Sequence, residues 1–230
     1  MPFTKTLGIL GGMGPSASAA MYQKIIQLCQ ERYQAVQDTD YPKIVLYSLP
    51  LFGFDEAGII DAQQVVQQLH AGIAKLVVAG CDCIVMACNT VHVFYDELQA
   101  ACPVPIVHMV QETAHAAADH AYVGVLSSET TLKAGLYVNA LQAEGVHTIF
   151  PSVSQQAVVT KVIVHVMSGT QSAADVQALK AICAGMQAHG ASAIILGCTE
   201  LPLVLHQAHI AAPLFDAVTI GATAALALVQ

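Results

Sequence analysis

Short apolar runs alternate with amphipathic stretches along the chain. Residues 6–10 and 43–48 form two such runs, and a stretch with helical spacing follows each of them. In residues 61–79 apolar side chains recur at every third or fourth position, which is the pattern of a helix that buries one face. Strands that alternate with helices in this order predict an α/β fold built on parallel sheets.

One step of this pattern occurs twice. Gly80 precedes a short apolar run that leads to Cys88, and Gly190 precedes an equivalent run that leads to Cys198, 110 positions later. Each copy predicts a glycine that ends a helix, a buried strand, and a cysteine at the carboxyl end of that strand. Ligands of open parallel sheets bind at this end of the strands.

The elements around the two cysteines also recur in the same order. A strand led by proline follows each cysteine step, at residues 103–107 and 212–216. We therefore expect an α/β protein with two pseudo-symmetric domains, each a short parallel sheet flanked by helices. Residues 1–105 with 212–230 are predicted to form the first domain, and residues 106–211 the second.

The amino-acid composition limits which classes of binding partner we expect. The 230 residues are 55% hydrophobic, and only eight Lys and Arg residues accompany a formal net charge of −8. This balance argues against nucleic acid and against an anionic membrane surface. No run of eighteen apolar residues and no signal-peptide pattern occurs, so we expect no membrane span. Seven cysteines, an odd number, favour free thiols and a cytoplasmic location.

The glycine-rich stretch 11–15 lies between the first strand and a helix predicted at 17–33, with Ser16 or Ser18 as its expected N-cap. The N-terminus of such a helix offers free backbone N–H groups to an anion. The full GxGxxG spacing is missing, and no acidic residue ends the next strand at the distance that a dinucleotide site requires. We therefore predict no dinucleotide cofactor.

Four uses of the cysteines are considered. Most are expected to be small buried hydrophobic residues: Cys29, Cys81, Cys102 and Cys183. A shared metal is not predicted, because Cys81 and Cys83 point to one face of a strand and Cys88 lies beyond its end. A redox pair is not predicted either, since the chain has no CxxC.

The fourth use is a pair of acid/base thiols. Cys88 and Cys198 each lie at a strand end beside hydroxyl and amide groups. Two such thiols suit stereochemical inversion at a carbon acid, where one thiolate removes the α-proton and the other thiol protonates the opposite face. An ordinary thiol pKa of about 8.5 is close enough to neutrality for both roles.

Three motifs resemble the aspartate/glutamate racemase family: GGMGP at 11–15, CNTVH at 88–92 and GCTELP at 197–202. The resemblance covers nearly the whole chain. It implies two pseudo-symmetric α/β domains with an active site in the cleft between them. It also implies racemisation of an amino acid without a cofactor or a metal, and a homodimer.

The resemblance assigns roles by position. Cys88 and Cys198 are the expected catalytic residues. The candidate substrate-binding residues are Met13, Gly14, Asp55, Asn89, Thr90, Ser128, Thr131 and Thr199. Thr90 and Thr199 can also serve as helix caps. We expect a structural hydrogen bond for His92, and for Glu200 a position in the first turn of a helix.

The chain departs from the family members that act on aspartate. Those proteins bring an arginine and commonly a lysine to the distal carboxylate, whereas this chain has a single arginine, Arg32. The corresponding loop carries Asp55 and Glu56, and the lysine position falls near Gln156 or Ala157, with Lys161 one turn away. We therefore hypothesise that the preferred substrate is not aspartate but a neutral or basic amino acid.

Other functions remain open at this point. The relatives implied by this resemblance include hydantoin racemases, maleate isomerases and arylmalonate decarboxylases, which share the scaffold. Two cysteines favour proton transfer on both faces of a carbon atom over decarboxylation, which can proceed with one cysteine. Addition of a thiol to a double bond, as in maleate isomerisation, is also compatible with the residues. A non-catalytic protein that binds a small ligand is the alternative from a different class.

Overall fold

The computed structural model describes residues 3–55 and 58–230. Glu56, which the sequence analysis places in the acidic loop, lies outside the described residues. The chain divides into two compact units. The first comprises the residues up to Asp55, Ile59–Met109 and Val218–Gln230, and the second comprises Gly58 and Val110–Ala217.

The first unit contains a four-stranded parallel sheet. Its strands are β1 (Thr6–Gly11), β2 (Lys43–Ser48), β3 (Cys83–Met86) and β4 (Ile106–Val107), in the order β2-β1-β3-β4. Its helices are α1 (Pro15–Tyr33), α2 (Ala62–Val78), α3 (Tyr95–Ala101) and most of the closing helix, α9 (Ala217–Leu228). Short 3₁₀ turns lie at Asp38–Asp40 and Thr90–Phe94.

Local signals in the sequence set the bounds of these elements. The Asp61 side chain caps α2 by accepting a 2.9 Å hydrogen bond from the backbone N–H of Gln64. Gly80 ends the same helix with φ of +82°, a conformation that side chains rarely adopt. The apolar face of α2 contributes Val65, Leu69 and Leu76 to a core that also holds Ile84 of β3.

The closing helix belongs to the first unit for most of its length. Backbone N–H groups of Thr4 and Lys5 donate to the carbonyl of Val229, and the Cys83 thiol lies 3.9 Å from the carbonyl of Ala225. These contacts attach the C-terminal part of the chain to the first unit.

The second unit repeats the arrangement of the first. Its strands are β5 (Tyr122–Leu126), β6 (His147–Ile149), β7 (Ala193–Leu196) and β8 (Leu214–Asp216), all parallel, in the order β6-β5-β7-β8. Its helices are α4 (Met109–Ala116), α5 (Glu129–Lys133), α6 (Leu136–Ala143), α7 (Val153–Met167) and α8 (Ala173–Ala188). The first residue of α4, Met109, is the last residue of its segment of the first unit. Short 3₁₀ turns lie at Leu201–Leu203 and Gln207–His209. The predicted fold class, α/β with two short parallel sheets flanked by helices, is confirmed.

Two domain boundaries in the structure differ from those expected from the sequence. Residues 106–107 pair with β3 in the first sheet, although the second domain was expected to begin at 106. Residues 214–216 pair with β7 in the second sheet, although the first domain was expected to resume at 212. In both cases the proline-led strand completes the sheet of the cysteine strand before it, because the two strands hydrogen-bond in parallel register.

The helices show two further differences from the sequence prediction. Helix α4 was not predicted. The sequence pattern of residues 131–145 predicts one helix, but the structure has two there, α5 and α6, with a break at Gly135, whose φ is +67°. A residue in this conformation ends regular α-helical geometry, so the chain changes direction there. No helix within residues 3–55 or 58–230 is long and apolar enough to cross a membrane.

Candidate active site

Cys88 lies immediately beyond the carboxyl end of β3. The backbone N–H of Ala87 donates to the carbonyl of Leu10 at 2.9 Å, so pairing with β1 continues to the residue before the thiol. The Cys88 side chain is 5% exposed, and the two residues that follow it, Asn89 and Thr90, are buried as well. Strand pairing therefore fixes the position of this thiol.

The side chain of His92 forms hydrogen bonds with the Cys88 loop and with the residues that follow β4. Its Nδ1 lies 2.9 Å from the carbonyl oxygen of Cys88 and 3.1 Å from that of Asn89. Its Nε2 lies 3.2 Å from the backbone N–H of Met109. This network fits a neutral imidazole that donates from Nδ1 and accepts at Nε2. Burial, with a smaller contribution from neighbouring His108, lowers the pKa of His92 to about 4.

The interpretation of His92 as a structural residue is therefore supported by its contacts. Both ring nitrogens contact backbone groups, and the side chain is only 3% exposed. The rings of Tyr95 and His108 pack against it, at centroid distances of 6.2 and 5.2 Å. A neutral imidazole held in this way links the backbone of Cys88 and Asn89 to that of Met109.

The glycine-rich loop after β1 lies next to this strand end. The backbone N–H of Gly12 donates to Ser18 Oγ at 2.8 Å, and Ser18 Oγ donates to the carbonyl of Gly14 at 2.8 Å. The expected cap was wrong: Gly14 is the N-cap of α1 and no side chain caps it, because the Ser18 hydroxyl stabilises the loop instead. Met13 is buried in the same core cluster as Cys88.

Cys198 occupies the equivalent position in the second unit. The backbone N–H of Gly197 donates to the carbonyl of Leu126 at 2.7 Å, which continues the pairing of β7 with β5. The Cys198 side chain is 7% exposed, and its thiol donates to Glu200 Oε2 at 3.2 Å. The Thr199 hydroxyl donates to the same oxygen at 3.0 Å, so Thr199 contacts this carboxylate.

Tyr137 of α6 packs directly against the strand end that carries Cys198. A Cβ atom added at Gly197 would lie 2.5 Å from Cε2 of the Tyr137 ring. The ring is 2% exposed, and its hydroxyl bonds to the side chain of Thr113 in α4. Burial raises the pKa of Tyr137 strongly, so it stays neutral at working pH.

Ser128 and Thr131 lie at the carboxyl end of β5, beside β7. Ser128 is the N-cap of α5, and its Oγ accepts from the backbone N–H of Thr131 at 3.2 Å. Both side chains are buried, with 1% exposure. Gln156 of α7 approaches the same strand end, where its Nε2 donates to the carbonyl of Ser127 at 2.9 Å.

The charged residues considered for the substrate side chain are exposed. Asp55 is exposed in the loop between β2 and α2. Arg32 is exposed in the last turn of α1, about 25 Å along the helix from its first residue. Lys161 is exposed on α7. Asp55 is thus the one candidate binding residue with an exposed side chain, and the rest are buried at the two strand ends.

Cys29, Cys81, Cys102 and Cys183 are buried, as predicted, and Cys83 is buried as well. None of the seven cysteines forms a disulfide bond, and Cys29, Cys83 and Cys183 are fully buried. Burial raises the pKa of Cys29 and of Cys183 to about 11, and that of Cys83 to about 12. These thiols stay protonated at neutral pH and are inert as acid/base groups. In the described part of the chain, no group of three or more His, Cys, Asp and Glu residues is arranged to hold a metal ion.

The side-chain contacts of Glu200 were not predicted. Glu200 immediately precedes the 3₁₀ turn Leu201–Leu203, close to its expected place in the first turn of a helix, but its side chain turns back to Cys198 and Thr199. It is 3% exposed, which is unusual for a glutamate. The only signal in the sequence is its place two residues after the cysteine, and that spacing does not reveal the rotamer.

Residues 10–225 match the family model described as Asp/Glu/hydantoin racemase. The broad specificity amino-acid racemase RacX of Bacillus subtilis (strain 168) is 33% identical over 211 residues, which cover 91% of this chain and 92% of that protein. The aspartate racemase of Picrophilus torridus superposes with a TM-score of 0.84 at 27% identity, covering 97% of this chain and 93% of that one. An aspartate racemase homologue from Pyrococcus horikoshii OT3 shares the fold, with a TM-score of 0.80 at 24% identity and coverage of 98% and 99%.

Proposed function

The chain belongs to the Asp/Glu/hydantoin racemase family, and we propose that it is an amino-acid racemase whose acid/base groups are the thiols of Cys88 and Cys198. As a racemase it is an isomerase. The observation that carries the proposal is the equivalent placement of the two thiols. Each is the second residue after the central cysteine strand of a sheet with the same strand order.

The proposed reaction needs only proton transfers. The thiolate of one cysteine takes the α-proton of the amino acid and becomes a thiol. The thiol of the other cysteine gives its proton to the opposite face of the resulting carbanion and becomes a thiolate. Atoms and charge balance within the pair, and neither a cofactor nor a metal is required.

The buried polar groups beside the thiols are proposed to hold the substrate. Asn89 offers both a donor and an acceptor, and the hydroxyls of Thr90 and Thr199 can bind the α-carboxylate or the amino group. The backbone at Met13 and Gly14 belongs to the loop next to β3. Ser128 and Thr131 lie just beyond the carboxyl end of β5, the strand next to β7. Support for these assignments is their burial at the same strand ends as the thiols.

Deuterium exchange tests the mechanism. In D₂O the full-length protein should place deuterium on the α-carbon of its substrate while the enantiomer forms. Cys88→Ser and Cys198→Ser should each lower the racemisation rate by about 100-fold or more, because a serine hydroxyl is a far weaker acid than a thiol. Cys102→Ser is the matched control, since Cys102 is also nearly buried but follows helix α3. Near-normal racemisation by either serine variant of the pair would refute the two-thiol mechanism.

We further propose that the side-chain preference is for neutral or basic amino acids. The lone arginine lies at the far end of α1 from the glycine-rich loop, so in this chain it is not placed to clamp a distal carboxylate. Gln156 offers an amide, with no charge, near the second strand end. The relative from Bacillus subtilis is named a broad specificity amino-acid racemase, which agrees with this preference.

A panel of single L-amino acids, each followed to its D-enantiomer by chiral chromatography, tests the preference. Turnover should be highest for neutral or basic side chains and low for aspartate. Selective turnover of aspartate would contradict the proposal. Hydantoins and maleate belong in the same panel, because turnover of either in place of amino acids would favour the alternative functions.

The proposed setting is a homodimer in the cytoplasm. The lack of a disulfide bond at any of the seven cysteines agrees with a reducing compartment. Light scattering coupled to size-exclusion chromatography measures the oligomeric state directly, and a mass of one chain at micromolar concentration would contradict the dimer.

A further inference from the structure

Glu200 places a buried carboxylate against the Cys198 thiol. Its Oε2 accepts from the Cys198 thiol at 3.2 Å and from the Thr199 hydroxyl at 3.0 Å. Within the described ranges, no ion pair of 4.0 Å or less joins Glu200 to a Lys, Arg or His side chain. The hydrogen-bond donors that contact this carboxylate are therefore a thiol and a hydroxyl.

The equivalent position in the first unit carries no charge. Cys83 of β3 pairs with Leu7, and Ala193 of β7 pairs with Val123, so the two cysteine strands are in the same register. Counting forward from these residues, Cys88 corresponds to Cys198, and Glu200 corresponds to Thr90, a neutral side chain. The internal repeat thus gives the two thiols unlike neighbours.

A carboxylate at this distance decides which atom holds the proton. In the 3.2 Å contact the thiol of Cys198 donates and the carboxylate oxygen of Glu200 accepts, so the proton lies on sulfur. Loss of that proton would leave two negative charges about 3 Å apart in a buried place, which disfavours the thiolate.

We propose that Glu200 keeps Cys198 protonated in the substrate-free protein, so that Cys198 is the resting proton donor and Cys88 the resting proton acceptor. The assignment of donor and acceptor rests on the proposed racemase mechanism. In one turnover the Cys88 thiolate takes the α-proton, and the Cys198 thiol protonates the other face of the carbanion. The enzyme then holds its proton on Cys88, and return of that proton to Cys198 through solvent restores the resting form.

This asymmetry does not change the equilibrium between the enantiomers. The two enantiomers have equal free energy, so kcat/KM must be the same in both directions at every pH. The asymmetry is visible instead in the reactivity of each thiol when no substrate is bound. A measurement on the free protein therefore tests it directly.

Two other titratable groups lie near Cys198. Tyr137 packs beneath Gly197 and stays neutral, because burial raises its pKa. Asp216 ends β8, beside β7, and acts electrostatically on Tyr137. Both residues are unchanged when Glu200 alone is replaced, so a difference between wild type and a Glu200 variant reports on Glu200.

The experiment is alkylation of the substrate-free, full-length protein by iodoacetamide across a range of pH. Mass spectrometry of the digested protein gives the rate at each cysteine. In the wild type, the pH midpoint for Cys198 should lie above that for Cys88. In Glu200→Gln, the midpoint for Cys198 should fall by about one pH unit or more, so its rate at pH 7 should rise about tenfold or more. The rate at Cys88 should stay the same.

Glu112→Gln is the matched control, because it removes an exposed carboxylate from the same unit. It should leave both midpoints unchanged. An unchanged Cys198 midpoint in a folded Glu200→Gln variant overturns the proposal. If that variant does not fold, the wild-type comparison decides, and a Cys198 midpoint at or below that of Cys88 overturns it.

The outcome is independent of the proposed function. Alkylation requires no turnover, so Glu200 can be shown to control Cys198 even if Cys198→Ser retains racemisation. That combination would refute the two-thiol mechanism alone. Loss of racemisation in Cys198→Ser with no effect of Glu200→Gln on alkylation would refute the role of Glu200 alone.

Discussion

Replacing His92 by Asn should change how the free energy of unfolding depends on pH. The imidazole is buried and neutral, and burial lowers its pKa from 6.5 to about 4. In the unfolded chain the same side chain takes up a proton as the pH falls below about 6.5. The unfolded state then binds more protons than the folded state, so the wild type loses stability as the pH falls towards 4.

The size of this loss follows from the difference between the folded and unfolded pKa of His92. A pKa difference of one corresponds to about 1.4 kcal/mol, so the wild type should lose roughly 3 kcal/mol through His92 between pH 6.5 and pH 4. At pH 7 the His92→Asn variant should be less stable by about 2 kcal/mol. Asn can still donate to the carbonyl of Cys88, but the N–H of Met109 loses its acceptor. The two stability curves should therefore converge near pH ~5.

Urea unfolding followed by far-ultraviolet circular dichroism measures this difference. The chain has no tryptophan, so dichroism is preferable to intrinsic fluorescence. Protein concentration is held constant, because any association shifts the apparent stability. His147→Asn is the control, since His147 is exposed and its variant should follow the wild type. Parallel curves for wild type and His92→Asn down to pH 4.5 would refute the neutral, buried imidazole.

Two other substitutions test the backbone and the helix caps. Gly12→Ala should destabilise the protein by about 3 kcal/mol or more, because φ is +96° and the new Cβ would lie 2.4 Å from backbone atoms of Leu49. Gly80→Ala, with φ of +82° and no described atom within 4 Å of the new Cβ, should cost only about 1 kcal/mol; equal melting temperatures for the two variants would contradict this. Asp175→Ala should cost about 1 kcal/mol at pH 7, because Asp175 completes the capping box of α8 and bonds to His165. Although burial opposes it, these hydrogen bonds lower the pKa of Asp175. Asp175 therefore stabilises the folded protein at pH values above the pKa that it has in the unfolded chain. This stabilisation is lost as the pH falls through its lower pKa in the folded protein, so the melting temperatures of variant and wild type should coincide in strong acid.

The order of strands and helices was predictable because local signals in the sequence determine it. Gly80 and Gly190 have φ of +82° and +103°, and each ends its helix where the pattern indicated. Sheet membership of the short strands 106–107 and 214–216 was less accessible, because it depends on pairing between distant residues. The break at Gly135 was missed, since a helical pattern can tolerate an isolated glycine without ending there.

The positions of the two candidate thiols at strand ends followed from the same signals, but their side-chain contacts did not. The interactions of Glu200 with Cys198 and of His92 with Cys88 depend on rotamers and tautomers, which sequence spacing leaves open. The exposed placement of Arg32 at the end of α1 is an exception. A helix of known length starting after the glycine-rich loop already implies that its last turn lies far from that loop.

The contact between Tyr137 and Gly197 has a consequence for how this protein can change. The first unit has a methyl group at the corresponding position, Ala87, whereas the second fills the same space with an aromatic ring from a helix sixty residues earlier. Gly197 can therefore be replaced by a larger residue only if Tyr137 is replaced by a smaller one. Placing the alanine of the first unit at position 197 alone would disrupt the core of the second unit.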